Sequence, residues 1–144
     1  MKKILGFVFI FSVLLNSCSK ESVENEPTSD LEKIVGSYSG QNNMIVSYGD
    51  DMYFDSESVL RVISESDVEG EIVIDGIKGA AIHGTISEDV ISISEQAVVY
   101  NGLQYTISGH GDNSGKSLLL WLTVSWTAGD VDYIAACTEE LQKN

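Results

Sequence analysis

From Val35 to Thr138 the chain alternates apolar and polar residues with a period of two, the spacing of a β-strand with one buried face. Turn signals such as Asp75-Gly76 and Asn101-Gly102 separate these short runs. The pattern predicts about eight strands, over residues 35–46, 58–65, 70–75, 79–87, 90–95, 97–110, 117–126 and 130–138. The sixth of these is interrupted at Asn101-Gly102, which predicts a bulge or a hairpin there.

This order of elements predicts an all-β fold. Consecutive strands joined by short turns form hairpins, and a run of hairpins gives an up-and-down antiparallel sheet. About eight strands can close into a single small barrel, which removes the sheet edges that promote aggregation. A two-sheet β-sandwich is the alternative, and the many Gly and Ser residues within the strands favour the sharp bends of a barrel.

The predicted seventh strand, residues 117–126, has the most apolar pattern in this region. Its even-numbered residues, from Leu118 to Trp126, are expected to face inward, which places Trp121 on the outer face, either covered or part of a contact surface. Across the strands, the residues predicted to line the barrel interior are Tyr38, Leu60, Val62, Ile72, Ile74, Ile82, Ile91, Ile93, Tyr105, Ile107, Leu120, Leu122 and Val124.

The first eighteen residues have the layout of a secretory signal peptide. Two lysines precede an apolar run from Ile4 to Leu15, which is short for a membrane span. The ending Leu15-Asn16-Ser17-Cys18 resembles a lipobox, the signal at which bacterial lipoproteins are lipidated on cysteine and cleaved before it. This resemblance implies that the mature protein begins at Cys18 and is anchored to a membrane by acyl chains there.

Three segments follow from this organisation. Residues 1–17 are the predicted lipoprotein signal peptide, and residues 18–30 are the lipidated cysteine and a flexible acidic spacer that holds the single proline. Residues 31–144 form the predicted β domain, preceded by a helical turn for which Asp30 is a suitable cap. The expected location is the cell envelope, anchored to the outer membrane on its periplasmic or its cell-surface face.

The chain carries a formal net charge of −14, and the predicted signal peptide contains two of its few lysines. The mature protein is therefore still more acidic. Nucleic acid is excluded as a partner, because phosphate binding needs clustered Lys and Arg. Electrostatic docking to anionic lipid is disfavoured for the same reason, so the membrane contact is assigned to the lipid on Cys18, and the protein is expected to be a monomer.

Cys137 has no expected disulfide partner, since the resemblance assigns Cys18 to the lipid. It lies in the apolar run Tyr133-Ile134-Ala135-Ala136-Cys137, which predicts a buried, unreactive thiol.

No motif in the chain predicts catalysis, a metal or a cofactor. The segment Gly109–Ser117 looks superficially like a phosphate-binding loop, but its spacing fails and it precedes a strand rather than a helix. His83 and His110 lack a third indicated zinc ligand. One group of acids flanks a predicted turn without the spacing of a calcium loop: Asp50, Asp51, Asp55 and Glu57.

The lipobox, the acidic spacer, the opening Val35-Gly36-Ser37-Tyr38-Ser39-Gly40 and the hairpins together resemble small lipoproteins of the Bacteroidetes. Many of these carry calycin-like, that is lipocalin-like, barrels. Gly36-x-Tyr38 is similar to the Gly-x-Trp of the first lipocalin strand, with tyrosine in place of tryptophan. In that group an acidic stretch after the lipidated cysteine directs display on the cell surface, and Ser19-Lys20-Glu21 partly resembles such a signal.

These observations predict a non-catalytic binding protein. The barrel is expected to hold a small apolar ligand, with Tyr38, Arg61, Tyr105 and Trp126 as the contact residues. The alternative is a protein-interaction module, inhibitor-like or adhesion-like, that binds an envelope protein. In that case a packed barrel displays loops such as Gly49–Glu57 and Gly111–Lys116.

Overall fold

A computed structural model of the chain describes residues 30–144. The predicted signal peptide, Cys18 and the spacer up to residue 29 lie outside the described residues. The elements are α1 (Asp30–Ile34), β1 (Gly36–Tyr48), β2 (Asp51–Glu65), β3 (Glu71–Ile77), β4 (Ala80–Ser87), β5 (Val90–Tyr100), β6 (Leu103–Asn113), β7 (Ser117–Ala128) and β8 (Val131–Lys143).

The strands close into one barrel in which each pairs antiparallel with its neighbours in sequence, and β1 pairs with β8. The predicted all-β, up-and-down barrel of eight strands is therefore confirmed, and the two-sheet sandwich is excluded. Closure follows from the long pairings of β8 with β7 and β1, which run over nearly the whole length of β8.

Two segments predicted as loops are largely strand. The register pairs Asn42 with Glu57 and Tyr48 with Asp51, so the β1–β2 turn is confined to Gly49-Asp50. Residues 111–113 likewise continue β6, and residues 97–100 belong to β5, because Asn101-Gly102 forms a complete hairpin turn. Residues 51–57 were missed because all of their side chains are exposed, so main-chain pairing rather than alternate burial makes them a strand. Residues 111–113 were missed because their sequence is polar, although Gly111 and Asn113 are buried.

Short α1 covers one end of the barrel. Ile34 is fully buried, and its carbonyl accepts a hydrogen bond of 2.7 Å from the Tyr38 hydroxyl. Lys143 Nζ donates to the Lys33 carbonyl at 2.9 Å, which ties the last strand to the helix. Among residues 30–144 no helix is long and apolar enough to cross a membrane. We call this end, where the chain enters and leaves the barrel, the closed end.

The prediction of which face of β2 points into the barrel was wrong. Leu60 is 58% exposed and Val62 is also exposed, whereas Arg61 and Ile63 are buried. Both faces of this segment carry aliphatic residues, so the alternation alone does not decide which face is buried. The register sets Arg61 inside, because it lies opposite the fully buried Tyr38, and Glu139 of β8 neutralises it there. The remaining eleven residues of the predicted inward set are buried.

On the outer face, Trp121 is half-buried rather than fully exposed. Its ring stacks on His110 of the neighbouring strand β6, with ring centroids 5.0 Å apart and planes at 23°. A cross-strand histidine thus provides cover for this tryptophan.

Candidate functional site

The barrel wall has a gap on one side, which we call the notch. β2 pairs with β3 only over Val62–Glu65, and β4 pairs with β5 only over Val90–Ser92. Because β3 and β4 are short and turn back at Lys78-Gly79, the far halves of β2 and β5 have no strand between them. The notch lies at the end of the barrel opposite α1.

At the end of the notch nearer α1, the side chain of Gln96 on β5 replaces main-chain hydrogen bonds that are missing between β4 and β5. Its Oε1 accepts a hydrogen bond from the His83 amide at 2.9 Å, and its Nε2 donates to the His83 carbonyl at 2.7 Å. The β5 register shifts between Ile93 and Gln96 at this point. At this end of the notch, β4 and β5 are therefore joined by their main-chain pairing over Val90–Ser92 and by the side chain of Gln96.

A cavity of about 390 Å³ lies inside the barrel next to the notch. Apolar side chains from strands β1, β3 and β7 form part of its lining, among them Met44, Ile77, Leu122 and Val124. Leu60 and Tyr100, both exposed, line it where it meets the notch. The polar part of the lining is formed by Asn42, Glu57, Ser58, Arg61, Lys78, Cys137 and Glu139.

Arg61 and Glu139 form a buried ion pair in this lining. They are 5% and 1% exposed. Arg61 Nε donates to Glu139 Oε2 at 2.9 Å, and Nη2 donates to Oε1, so the pair is bidentate. Nη1 donates to the carbonyls of Gly76 at 2.8 Å and Leu60 at 3.2 Å. All three guanidinium nitrogens are therefore directed at protein oxygens, which compensates the burial of both charges.

Gly76 permits this arrangement. Its φ is +96°, a backbone conformation that residues with a side chain rarely adopt. A Cβ at this position would lie 2.7 Å from the Leu60 carbonyl oxygen and 3.4 Å from Arg61 Nη1. The glycine allows β3 to bulge between Asp75 and Ile77 and to approach the guanidinium closely.

Asn42 lies in the same row as two carboxylates, since it pairs with Glu57 on β2 and with Glu139 on β8. Its Nδ2 donates to Glu57 Oε1 at 3.2 Å. That bond fixes the orientation of the amide, and it leaves the buried Oδ1 without a hydrogen-bond partner. A buried acceptor without a partner costs roughly 1–3 kcal/mol, and because Oδ1 has almost no accessible surface, a bound molecule could donate to it only after a shift of the Asn42 side chain.

Cys137 is buried and unpaired among residues 30–144, which confirms the predicted burial. Burial raises the pKa of its thiol to about 11, and the nearby Glu139 carboxylate adds to the rise. The thiol therefore stays protonated at neutral pH. It contributes a small, weakly polar surface to the cavity and not a nucleophile.

A strip of aromatic rings crosses five neighbouring strands beyond the cavity, nearer the turns opposite the closed end. Successive ring centroids lie 6.2, 5.4, 5.0 and 5.6 Å apart. The order of the strip is Tyr53, Tyr48, Tyr133, Trp126 and Tyr105. Lys78 Nζ, which lies on the notch side of the barrel, is 6.0 Å from the ring centroid of Tyr105, the last ring of the strip. Such offset and stacked rings stabilise one another by about 0.5–1.5 kcal/mol per pair.

The four predicted ligand contacts occupy three different places. Arg61 lines the cavity, and Tyr105 and Trp126 contact each other in the aromatic strip. Tyr38 lies at the closed end, where its hydroxyl bonds to α1, and it does not line the cavity. The structure therefore assigns Tyr38 to the junction of helix and barrel.

Sequence reasoning missed Asn42, Glu57, Lys78 and Glu139 as cavity residues. Glu139 was the hardest to predict, because β8 was expected to end at Thr138. A usable signal existed: the alternation Ala135, Cys137, Glu139, Leu141 continues one face of β8 through the carboxylate. Asn42 is likewise in phase with Tyr38, Met44 and Val46 on β1.

Within residues 30–144, no three His, Cys, Asp or Glu side chains are grouped so that they could hold a metal ion. The acids near the β1–β2 turn are spread along an extended strand. One of them, Asp55, accepts a hydrogen bond from the amide of Ser56 at 2.8 Å. The candidate site is therefore the cavity.

The comparisons with known proteins do not supply an identity. No protein-family model matches the chain, and no curated protein is similar to it. Function must be argued from the cavity and its surroundings.

Proposed function

We propose that this protein binds one small, largely apolar ligand in the barrel cavity and takes no part in catalysis. The observation that carries the proposal is the cavity of about 390 Å³ that meets solvent at the notch. Pockets that bind small molecules have volumes of about 300–1,000 Å³ and combine apolar lining with a few polar groups. The cavity is at the small end of this range, and polar groups form the larger part of its exposed lining, beside the apolar side chains of Met44, Ile77, Leu122 and Val124.

The lining also favours a particular ligand chemistry. Arg61 already donates to Glu139 and to two carbonyls, so its guanidinium is largely committed to the protein. The buried group with free capacity is an acceptor, Asn42 Oδ1, while toward the notch the Glu57 carboxylate can accept and the Lys78 ammonium can donate hydrogen bonds. We therefore propose an apolar ligand that carries a hydrogen-bond donor, such as a hydroxyl or an amino group, directed at Asn42.

The same proposal places the protein in the cell envelope. The lipobox-like Leu15-Asn16-Ser17-Cys18 supports lipidation of Cys18 and attachment to the outer membrane. A tether of residues 18–29 would connect the lipid to the closed end of the barrel, because α1 begins at Asp30. The notch would then face away from the attachment point.

Native mass spectrometry tests the ligand proposal. The chain, gently purified from the organism that makes it, is expected to show an added small-molecule mass that organic extraction removes. Val124→Phe fills part of the cavity and should abolish the added mass, whereas Val99→Phe makes the same change at an exposed position and should retain it. If the natural protein and both variants all lack an added mass, the result would contradict ligand binding.

A further inference from the structure

β2 has a long free edge. Among residues 30–144, Asp51–Leu60 pairs with β1 on one side, and β3 does not begin to pair with β2 until Val62. The other side of this segment borders the notch. Two main-chain groups of this segment have side-chain partners, since the Leu60 carbonyl accepts from Arg61 and the Ser56 amide donates to Asp55. Other N–H and C=O groups along a free strand edge form a template for another strand.

The outer face of this edge is apolar at its two ends. Met52 and Phe54 are exposed, Phe54 to 76%, Ser56 and Ser58 follow on the same face, and the exposed Leu60 comes after them. Across the pair, Ile45 lies opposite Phe54 and is also exposed. Exposed large apolar side chains that share one face of a strand indicate a contact surface.

The opposite face of the same edge is acidic. Asp51, Asp55 and Glu57 lie across from Tyr48, Met44 and Asn42, on the side of β2 that faces the barrel interior. The single cation of the β1–β2 hairpin, Arg61, is neutralised by Glu139. The free edge therefore carries three carboxylates on one face, with Lys78 as the cation that lines the same cavity as Glu57, and apolar side chains at the two ends of the other face.

We propose that this edge binds an extended, basic segment of a partner protein, which adds to β2 as a further strand across the notch. A strand that alternates basic and apolar side chains matches both faces at once, because alternate residues point to opposite sides. A second copy is a poor occupant, since it brings the same acids together. Residues 19–29 of this chain are equally unsuited, because they include Glu21, Glu24, Glu26 and a proline.

Synthetic peptides test this proposal independently of the cavity ligand. The probes are extended peptides of about ten residues, enough to span the edge at roughly 3.3 Å per residue, in which Val alternates with Lys, Ser or Glu. Each is titrated by calorimetry at about 0.15 M salt, where long-range charge effects are screened, into the chain from residue 18 carrying Cys18→Ser. We expect the Lys peptide to bind most tightly and to slow amide hydrogen exchange within residues 51–60.

Two controls separate strand addition from simple charge attraction. A Lys–Val peptide methylated on alternate backbone nitrogens of its pairing edge should lose binding. Phe54→Lys should weaken binding by about tenfold or more, whereas Val90→Lys, a similar change at an exposed residue near the closed end, should leave it unchanged. Equal binding of the methylated peptide, protection outside residues 51–60, no binding, or a dimer that occupies this edge would each overturn the proposal.

Discussion

The buried ion pair of Arg61 and Glu139 is the feature on which stability and the cavity wall depend together. Replacing Glu139 with Leu leaves the guanidinium buried beside an apolar side chain, with two carbonyls as its remaining partners. Replacing Arg61 with Met leaves an isolated buried carboxylate. The double variant Arg61→Met/Glu139→Leu removes both charges and fills the space with side chains of similar length.

The magnitudes follow from burial, since the two residues are 5% and 1% exposed. Breaking a buried pair by removing one partner costs about 3–5 kcal/mol, whereas replacing both members by apolar residues is often neutral or stabilising. A domain of this size has a total stability of about 5–15 kcal/mol. Each single variant should therefore melt about 12–20 °C below the natural protein, and the double variant should be more stable than either single.

Urea unfolding measured by the fluorescence of Trp121 and Trp126 provides the free energies. The double-mutant cycle gives the coupling between the two residues directly. The reasoning would be refuted if each single variant cost less than about 1 kcal/mol, or if the double variant cost the sum of the singles.

Three further predictions concern single positions. Burial holds the pKa of Cys137 at about 11, above its ordinary value of 9.0, so the stability that the protonated thiol provides should be complete below about pH 9 and decline as pH rises toward 11. At pH 8, iodoacetamide should modify Cys137 far more slowly than it modifies a cysteine introduced at exposed Ala136 in a Cys137→Ala background. Equal rates would contradict burial. Gly76→Ala should lower the free energy of unfolding in urea by about 1–3 kcal/mol, because the new Cβ would contact the Leu60 carbonyl at a residue whose φ is already unfavourable. Gly129→Ala also places a side chain at a positive φ but in open space, so it should cost less. Equal costs would refute the role of the contact. Tyr38→Phe should cost about 0.5–1.5 kcal/mol by the same measurement, because it removes the hydrogen bond to α1, and an unchanged stability would show that this bond does not hold the closed end.

The barrel was predictable because each strand repeats a local signal. Apolar side chains at alternate positions, such as those of Ile72 and Ile74, and tight turns such as Asn101-Gly102 are readable from sequence neighbours alone. The errors lie where that signal is weak. Residues 51–57 form a strand through pairing with β1 although almost every side chain is exposed, so no alternation marks them.

The candidate site was less predictable, because it depends on residues distant in sequence. Arg61 lies inside the barrel because Glu139 lies beside it, and the closing of β1 on β8 brings the two together. Local pattern places a lone arginine outside for sound energetic reasons. Arg61 was predicted as a ligand contact, but Glu139 was not found as the residue that neutralises it, and only the closed barrel supplies that partner.

The most direct test of the central claim, that the barrel is hollow and holds a ligand, is a crystal structure of the protein purified from its own organism without organic extraction. The account predicts electron density for a small molecule between Val124 and Asn42, with a donor group within hydrogen-bond distance of Asn42 Oδ1. A cavity closed by the inward collapse of Met44, Lys78 or Tyr100, with Asn42 Oδ1 bonded to a protein group, would contradict it.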